Sequence, residues 1–244
     1  MEIYLTKMIL NPQSRKVWND LGNLQELHRT VSSAFPKIEN DEALPHHERK
    51  TPRNEFNLLH RLDFNRKSGT AVLLIQSTVE PDWSFLDSSY ANEFQCKTVH
   101  DKYERIENGM NLLFRLQANP TKRVGKSDTI AEAKFKESKI RRRVELRTDE
   151  EKLGWLQRKG AESGFQLAKV RIKDRVDNVS SIEQGKISFS KKRKSPLLTF
   201  SAVVFEGILQ VIDANKFREA LVRGIGTGKA YGFGLLSVAP IKEN

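Results

Sequence analysis

Near its C-terminus the chain reads Gly224-Ile225-Gly226-Thr227-Gly228-Lys229-Ala230-Tyr231-Gly232-Phe233-Gly234-Leu235-Leu236. Five glycines within eleven residues exclude a helix or strand interior, because each glycine there costs about 1 kcal/mol relative to alanine. Such backbone can turn sharply and come close to a ligand. Its N–H groups, together with the Lys229 ammonium, suit a phosphate; a turn that serves only close packing is the alternative.

The flanks of this loop narrow its use. Asp213 is a predicted N-cap, with Ile212 and Phe217 spaced for a hydrophobic staple. Phe217, Ala220 and Leu221 form a helical stripe, Arg223 falls in the last turn, and Gly224 suits the position just past the helix. Leu235-Leu236-Ser237-Val238 predicts a strand. The loop therefore runs from helix to strand. Phosphate loops of the Walker and dinucleotide types run from strand to helix and have other spacings, so both are excluded.

The rest of the chain predicts an α+β fold. Residues 2–10 predict a first strand, ended by Asn11-Pro12. A helical region follows and breaks at Gly22; Asn23 with Glu26 starts a second helix running to about Phe35. Residues 36–55 predict a loop. Phe56–Asp63 and Thr70–Gln76 predict two strands joined at Lys67-Ser68-Gly69. Trp83–Tyr90 predicts a short helix, and a weak strand follows at about 95–100. This β-α-β-β-α-β order is that of a ferredoxin-like unit.

The second half repeats the order. Met110–Gln117 alternates as a strand, Thr148 and Glu151 make a capping box for a helix carrying Leu153 and Leu156, and strands follow at about 165–172 and 185–190. A long strand at 197–212, interrupted at Gly207, then precedes the 214–223 helix, the glycine loop and the last strand. The expectation is two tandem ferredoxin-like (RNA-recognition-like) domains with antiparallel sheets, spanning 1–100 and 108–244.

The 42 Lys and Arg exceed the 31 Asp and Glu, for a net charge of +11 over 244 residues. This balance points to a polyanionic partner, nucleic acid before membrane. Residues 121–147 hold ten cations (Lys122, Arg123, Lys126, Lys134, Lys136, Lys139, Arg141, Arg142, Arg143 and Arg147) against four acids, a local net charge of +6. Lys191-Lys192-Arg193-Lys194 forms a second cluster. These segments are either solvated loops or basic surfaces that lie along phosphates. The single cysteine, Cys96, excludes a disulfide framework and a cysteine-based zinc site. Apolar runs such as Ala71–Ile75 are too short to span a bilayer, and Glu2 and Lys7 interrupt the N-terminal apolar segment. The expectation is a soluble, cytoplasmic, basic protein without cofactor or metal.

Few side chains are placed for chemistry. Asp149-Glu150-Glu151 suits a first helical turn. His46 and His47 lie in a charged loop, His60 in an apolar strand, and His100 in the linker. His28 differs: on the second helix, Leu24, Leu27, Val31 and Phe35 form the apolar stripe, and His28 falls on its edge beside Gln25, Arg29 and Ser32. An imidazole half supported by core and half open to a polar surface can titrate near neutrality. A boundary histidine with one hydrogen bond is the alternative.

Several stretches occur together and in order: Leu5-Thr6-Lys7 with Asn11-Pro12, Glu26-Leu27-His28-Arg29-Thr30, Glu80-Pro81-Asp82-Trp83-Ser84 and Phe114-Arg115-Leu116-Gln117-Ala118-Asn119-Pro120-Thr121-Lys122. Trp155-Leu156-Gln157-Arg158, Phe205-Glu206-Gly207 and the glycine loop through Pro240 complete the set. In this combination the chain closely resembles the CasE family, the CRISPR repeat endoribonucleases of the type I-E Cascade complex. The resemblance implies tandem ferredoxin-like domains and metal-free cleavage of CRISPR precursor RNA at the 3′ base of the repeat hairpin. The products would carry a 5′-hydroxyl and a 2′,3′-cyclic phosphate. It implies as partners the repeat hairpin, the mature guide RNA and other Cascade subunits.

The family's catalytic histidine falls on His28. Its arginine-rich hairpin-binding segment falls on about 139–147, with Lys139, Arg141, Arg142, Arg143 and Arg147, and its glycine loop on 224–234, with Gly226, Gly228 and Lys229. The sequence departs from the family pattern at Gln25, where members often carry tyrosine, and at Ser33, where some carry a basic residue. RNA brings its own nucleophile, the 2′-hydroxyl, so the site needs in-line geometry, proton transfer and nearby cations. His28 would move the proton, with Arg29 or Lys229 as cations and Gln25 and Ser32 beside them. The competing reading is a non-catalytic module that holds a hairpin RNA within a ribonucleoprotein complex.

Overall fold

The computed structural model describes residues 1–39, 50–65, 67–124, 142–171, 175–190 and 197–241. In chain order the first half holds β1 (Tyr4–Leu10), α1 (Arg15–Gly22), α2 (Leu24–Ser32), α3 (Pro52–Glu55), β2 (Leu59–Asn65), β3 (Thr70–Ser77), β4 (Ala91–Thr98) and α4 (His100–Glu104). The second half holds β5 (Asn111–Ala118), β6 (Thr121–Val124), β7 (Arg142–Glu145), α5 (Asp149–Glu162), β8 (Phe165–Leu167), β9 (Lys169–Arg171), β10 (Arg175–Asp177), β11 (Val179–Ser190), β12 (Leu197–Val211), α6 (Ala214–Arg223) and β13 (Leu236–Pro240).

The first sheet has strand order β2-β3-β1-β4, and its pairs are antiparallel. Alternation along β1 and β3 sends Met8, Leu10, Leu73 and Ile75 to one face, where Leu27 and Val31 of α2 and Val17 of α1 cover them. Lys16 fastens the two helices, donating to Asp20 at 2.8 Å and to Thr30 at 2.7 Å. The second sheet runs β11-β12-β5-β13, again antiparallel, with β8 added along β12. Its core gathers Leu116, Phe205 and Leu209 from the sheet with Trp155 and Leu156 of α5 and Phe217 and Leu221 of α6. Both orders are the ferredoxin-like one, and each sheet pairs its first strand with its third and fourth.

The local signals for α5 and α6 take the form expected of them. Thr148 and Glu151 close the capping box, the Asp213 carboxylate accepts from the Lys216 N–H at 3.0 Å, and the Gly224 N–H bonds the Ala220 carbonyl at 2.8 Å. Several expectations need correction, including the 36–55 loop, which ends in α3, and the 185–190 strand, which begins at Val179. Residues 83–90 form turns, not a helix, so β3 and β4 are joined without one. The Asp82 and Asp87 carboxylates accept the N–H groups of Ser84 and Ser89 at 2.9 and 2.8 Å, which fixes tight turns in place of helical bonds.

The strand expected from Phe56 begins at Leu59, because Asn57 is left-handed with φ 47° and breaks the extended run. β12 passes through Gly207 without interruption. Glycine there admits the Asn178 backbone: a Cβ would stand 2.0 Å from the Asn178 carbonyl oxygen, which accepts the Ile208 N–H.

Candidate active site

α2 presents the candidate histidine. The Asn23 side chain caps the helix by accepting the Gln25 N–H at 3.0 Å, and Leu27 and Val31 anchor the buried face. His28 lies half-buried on the edge of that face, with Gln25 one turn before it and Ser32 one turn after. The Ser32 hydroxyl is buried with no hydrogen-bond partner among the described residues. Arg29 is exposed and pairs with Glu26 on the helix surface.

Two residues that sequence reasoning passed over meet His28 from other elements. His60 of β2 is 1% exposed and stacks on the His28 ring, with centroids 6.5 Å apart and planes at 18°. Burial, and then the His28 charge, push the His60 pKa down to about 3, so this ring is neutral at physiological pH. Tyr231 sets its ring edge against His28 at 6.0 Å, and its hydroxyl lies 3.4 Å from the Gln25 side-chain oxygen. The only sequence signal for His60 was a histidine next to an arginine, between Leu59 and Leu62 of a strand. Tyr231 had none beyond its place among glycines.

The glycine loop delivers Tyr231. Residues Lys229–Tyr231 make one 3₁₀ turn between Gly228 at φ 79° and Gly232 at φ 87°, left-handed positions that side chains resist. The Ile225 N–H bonds the Gly234 carbonyl and the Gly234 N–H bonds the Gln117 carbonyl, closing the loop and tying it to β5. The two halves of the chain meet here. Arg61, which follows His60, is 2% exposed and donates to the carbonyls of Arg115 and Leu235 at 3.2 and 3.1 Å and to the Ser237 hydroxyl at 3.0 Å. Asp63 accepts from both Arg61 and Arg115, and Arg115 continues to Glu206.

Lys229 opens the same turn, two residues before Tyr231. Its ammonium bonds the Arg223 carbonyl at 2.7 Å, at the C-terminal end of α6. Burial, then the positive charges of Arg53, Lys159 and Arg223, push its pKa down to about 8. It lines a cleft of about 880 Å³ between the β6–β7 hairpin, α5, α6 and the start of the glycine loop. Eight cations line this cleft (Lys122, Arg123, Arg143, Arg158, Lys159, Lys216, Arg223 and Lys229) against two carboxylates, Glu162 and Glu219. A wall of that sign attracts a polyanion. Gly226 lies on Trp155 at the cleft floor, where a Cβ would come within 3.1 Å of the indole.

Of the other basic residues singled out in the sequence, Arg143 and Arg147 are exposed, and the backbone of Arg142 belongs to β7. Lys139, Arg141, residues 191–194, His46 and His47 lie outside the described residues. Among the described residues no group of three or more His, Cys, Asp or Glu could hold a metal ion, and no helix is long and apolar enough to cross a membrane.

The family model for CRISPR associated protein matches residues 3–240. The chain is 37% identical over 242 residues to the CRISPR-associated endoribonuclease Cse3 of Thermus thermophilus, covering 98% of this chain and 100% of that one. It is 30% identical over 240 residues to the Cascade subunit CasE of Escherichia coli, with coverage of 98% and 100%. Its fold matches Thermus thermophilus Cse3 bound to an RNA representing a pre-cleavage complex, with a TM-score of 0.74, 37% identity and coverage of 98% and 100%. The chain belongs to the CasE family of CRISPR-associated proteins.

Proposed function

We propose that this CasE-family chain is a metal-independent endoribonuclease that cleaves CRISPR precursor RNA at the 3′ base of the repeat hairpin. The 2′-hydroxyl before the scissile phosphate attacks in line, leaving a 2′,3′-cyclic phosphate and a 5′-hydroxyl. The mature guide RNA stays bound, and the chain serves with it as a Cascade subunit in the cytoplasm. The observation that carries this reading is His28, half-buried at the seam of two sheets and backed by a neutral His60.

The parts of the reaction come from the RNA and from this chain. The nucleophile belongs to the RNA, so no activated serine, cysteine or metal-bound water is required. His28 moves a proton at the reacting oxygens, and a positioned group of this kind contributes about 10²–10⁴ in rate. Gln25 and Ser32 flank it on the same helix face. The cationic cleft holds the duplex, with Arg143, Arg147, Gly226, Gly228 and Lys229 as contacts to phosphate, and Lys139, Arg141 and Arg142 of the same basic stretch of sequence add to them. We assign the catalytic histidine to the domain of residues 1–100 and the hairpin grip to that of 108–244. Arg29 drops to a minor role, since its guanidinium is paired with Glu26 on the outer surface.

The test is cleavage of an end-labelled repeat hairpin in excess EDTA, followed by identification of the termini. The expected result is one cut with cyclic-phosphate and 5′-hydroxyl ends. Tight binding without a cut would return the chain to a hairpin-holding module, and rescue only by a divalent ion would overturn metal independence.

A further inference from the structure

A transesterification by the 2′-hydroxyl requires two proton transfers, one off the attacking oxygen and one onto the leaving 5′-oxygen. The described residues at His28 offer two partners. His60 is fully buried and held neutral, with its Nε2 unpartnered among the described residues, so it supports the His28 ring from behind. Tyr231 is half-buried and brings a hydroxyl.

The placement of Tyr231 is built, not incidental. Its ring is clamped by Phe189 at 4.6 Å and Phe200 at 5.5 Å, and Phe200 in turn stacks on Phe233 at 5.3 Å. The two left-handed glycines fix the turn that carries it, and Arg61 ties the strand of His60 to the residue that follows the loop. An aromatic anchor of this size would satisfy packing as phenylalanine. Among the described residues the hydroxyl adds only its contact with Gln25, on the helix face of His28, at a long 3.4 Å that leaves its proton available.

We infer that Tyr231 is a second catalytic residue, donating its phenolic proton to the leaving 5′-oxygen while His28 accepts the proton of the 2′-hydroxyl. The inference rests on the endoribonuclease reading above. The 2′-O–P bond forms and the P–O5′ bond breaks; the RNA 5′-oxygen leaves as a hydroxyl. His28 is left as imidazolium and Tyr231 as phenolate, and the proton passes back between them directly or through solvent. The division follows from the groups, because a phenol holds its proton at neutral pH whereas an imidazole can accept one.

The experiment compares two repeat hairpins, one with the ordinary 5′-oxygen at the scissile bond and one with a bridging 5′-sulfur, which leaves as thiolate without needing a proton. Wild type, Tyr231→Phe and His28→Ala are measured in single turnover, with RNA affinity measured alongside. Tyr231→Phe keeps the clamped ring. It is expected to cut the oxygen substrate about 10²-fold more slowly at unchanged affinity, and the sulfur substrate at close to the wild-type rate. His28→Ala is expected to stay slow on both. A Tyr231→Phe protein that cuts the oxygen substrate at the wild-type rate overturns the inference, as does a deficit that persists undiminished on the sulfur substrate. A wild-type protein that binds but cuts neither overturns the endoribonuclease reading itself.

Discussion

Arg61 donates to the main-chain carbonyl of Leu235 at 3.1 Å, so the strand that carries His60 is fastened to the end of the loop that carries Tyr231. These residues are 174 positions apart in the chain. The site at His28 therefore exists only where the two sheets are held together.

The first prediction concerns this fastening. Arg61→Met is expected to destabilise the protein by about 3 kcal/mol, because three acceptors lose their donor and Asp63 keeps only Arg115. Urea unfolding with an unchanged denaturant slope would measure it. A loss below about 0.5 kcal/mol, typical of a neutral surface change, would show that the guanidinium does not hold the halves.

The second concerns His28. His28→Ala is expected to bind the repeat hairpin as wild type does and to lower the single-turnover rate by about 10²–10⁴. RNA with a 2′-deoxy sugar before the scissile phosphate should bind and resist cutting. A folded His28→Ala protein that cuts at the wild-type rate removes this residue from the chemistry.

The third concerns the cleft. Replacing Arg123, Arg143 and Arg158 together by alanine is expected to weaken hairpin binding and flatten its salt dependence. Each phosphate that is no longer neutralised by the protein lowers the log–log slope by about 0.7–0.9. Identical slopes in the variant and wild type would leave the cleft without a part in RNA binding.

The fourth is a pH dependence. The His60 pKa is about 3 in the fold and near 6.5 in the unfolded chain. Above 6.5 the ring is neutral in both states and its burial carries no protonation penalty. As pH falls from 6.5 toward 3 only the unfolded chain takes up this proton, so stability is lost by up to about 1.4 kcal/mol per pH unit. His60→Phe should remove this component between pH 6.5 and 4.5, and equal pH slopes for wild type and variant would contradict it.

Local chemistry made much of the fold legible. The Thr148–Glu151 capping box, the Asp213 N-cap, Gly224 after α6 and the Asn23 start of α2 act through neighbours in sequence, and each appears where the residues place it. The turns at 83–90 escape such reading because apolar spacing there suggests a helix, while the Asp82 and Asp87 carboxylates capture N–H groups two residues on. Propensity summed over a window does not weigh such a bond.

The candidate site divides in the same way. Residues on one helix face share a short-range geometry, so His28 with Gln25 and Ser32 could be read from a 3.6-residue period. His60 and Tyr231 come to His28 across 32 and 203 positions, through strand pairing and a loop closed by left-handed glycines. No period links them. The glycine run told that the backbone turns and comes close to something; that it carries a tyrosine to a histidine on a helix of the other half follows from tertiary contacts alone. The reason is physical: helix caps and alternation are set by hydrogen bonds and sterics within a few residues, whereas the meeting of Tyr231 with His28 depends on how two separately filled cores are docked, here through contacts that include the buried Arg61 and the Gln76 side chain, which donates to the Leu221 carbonyl.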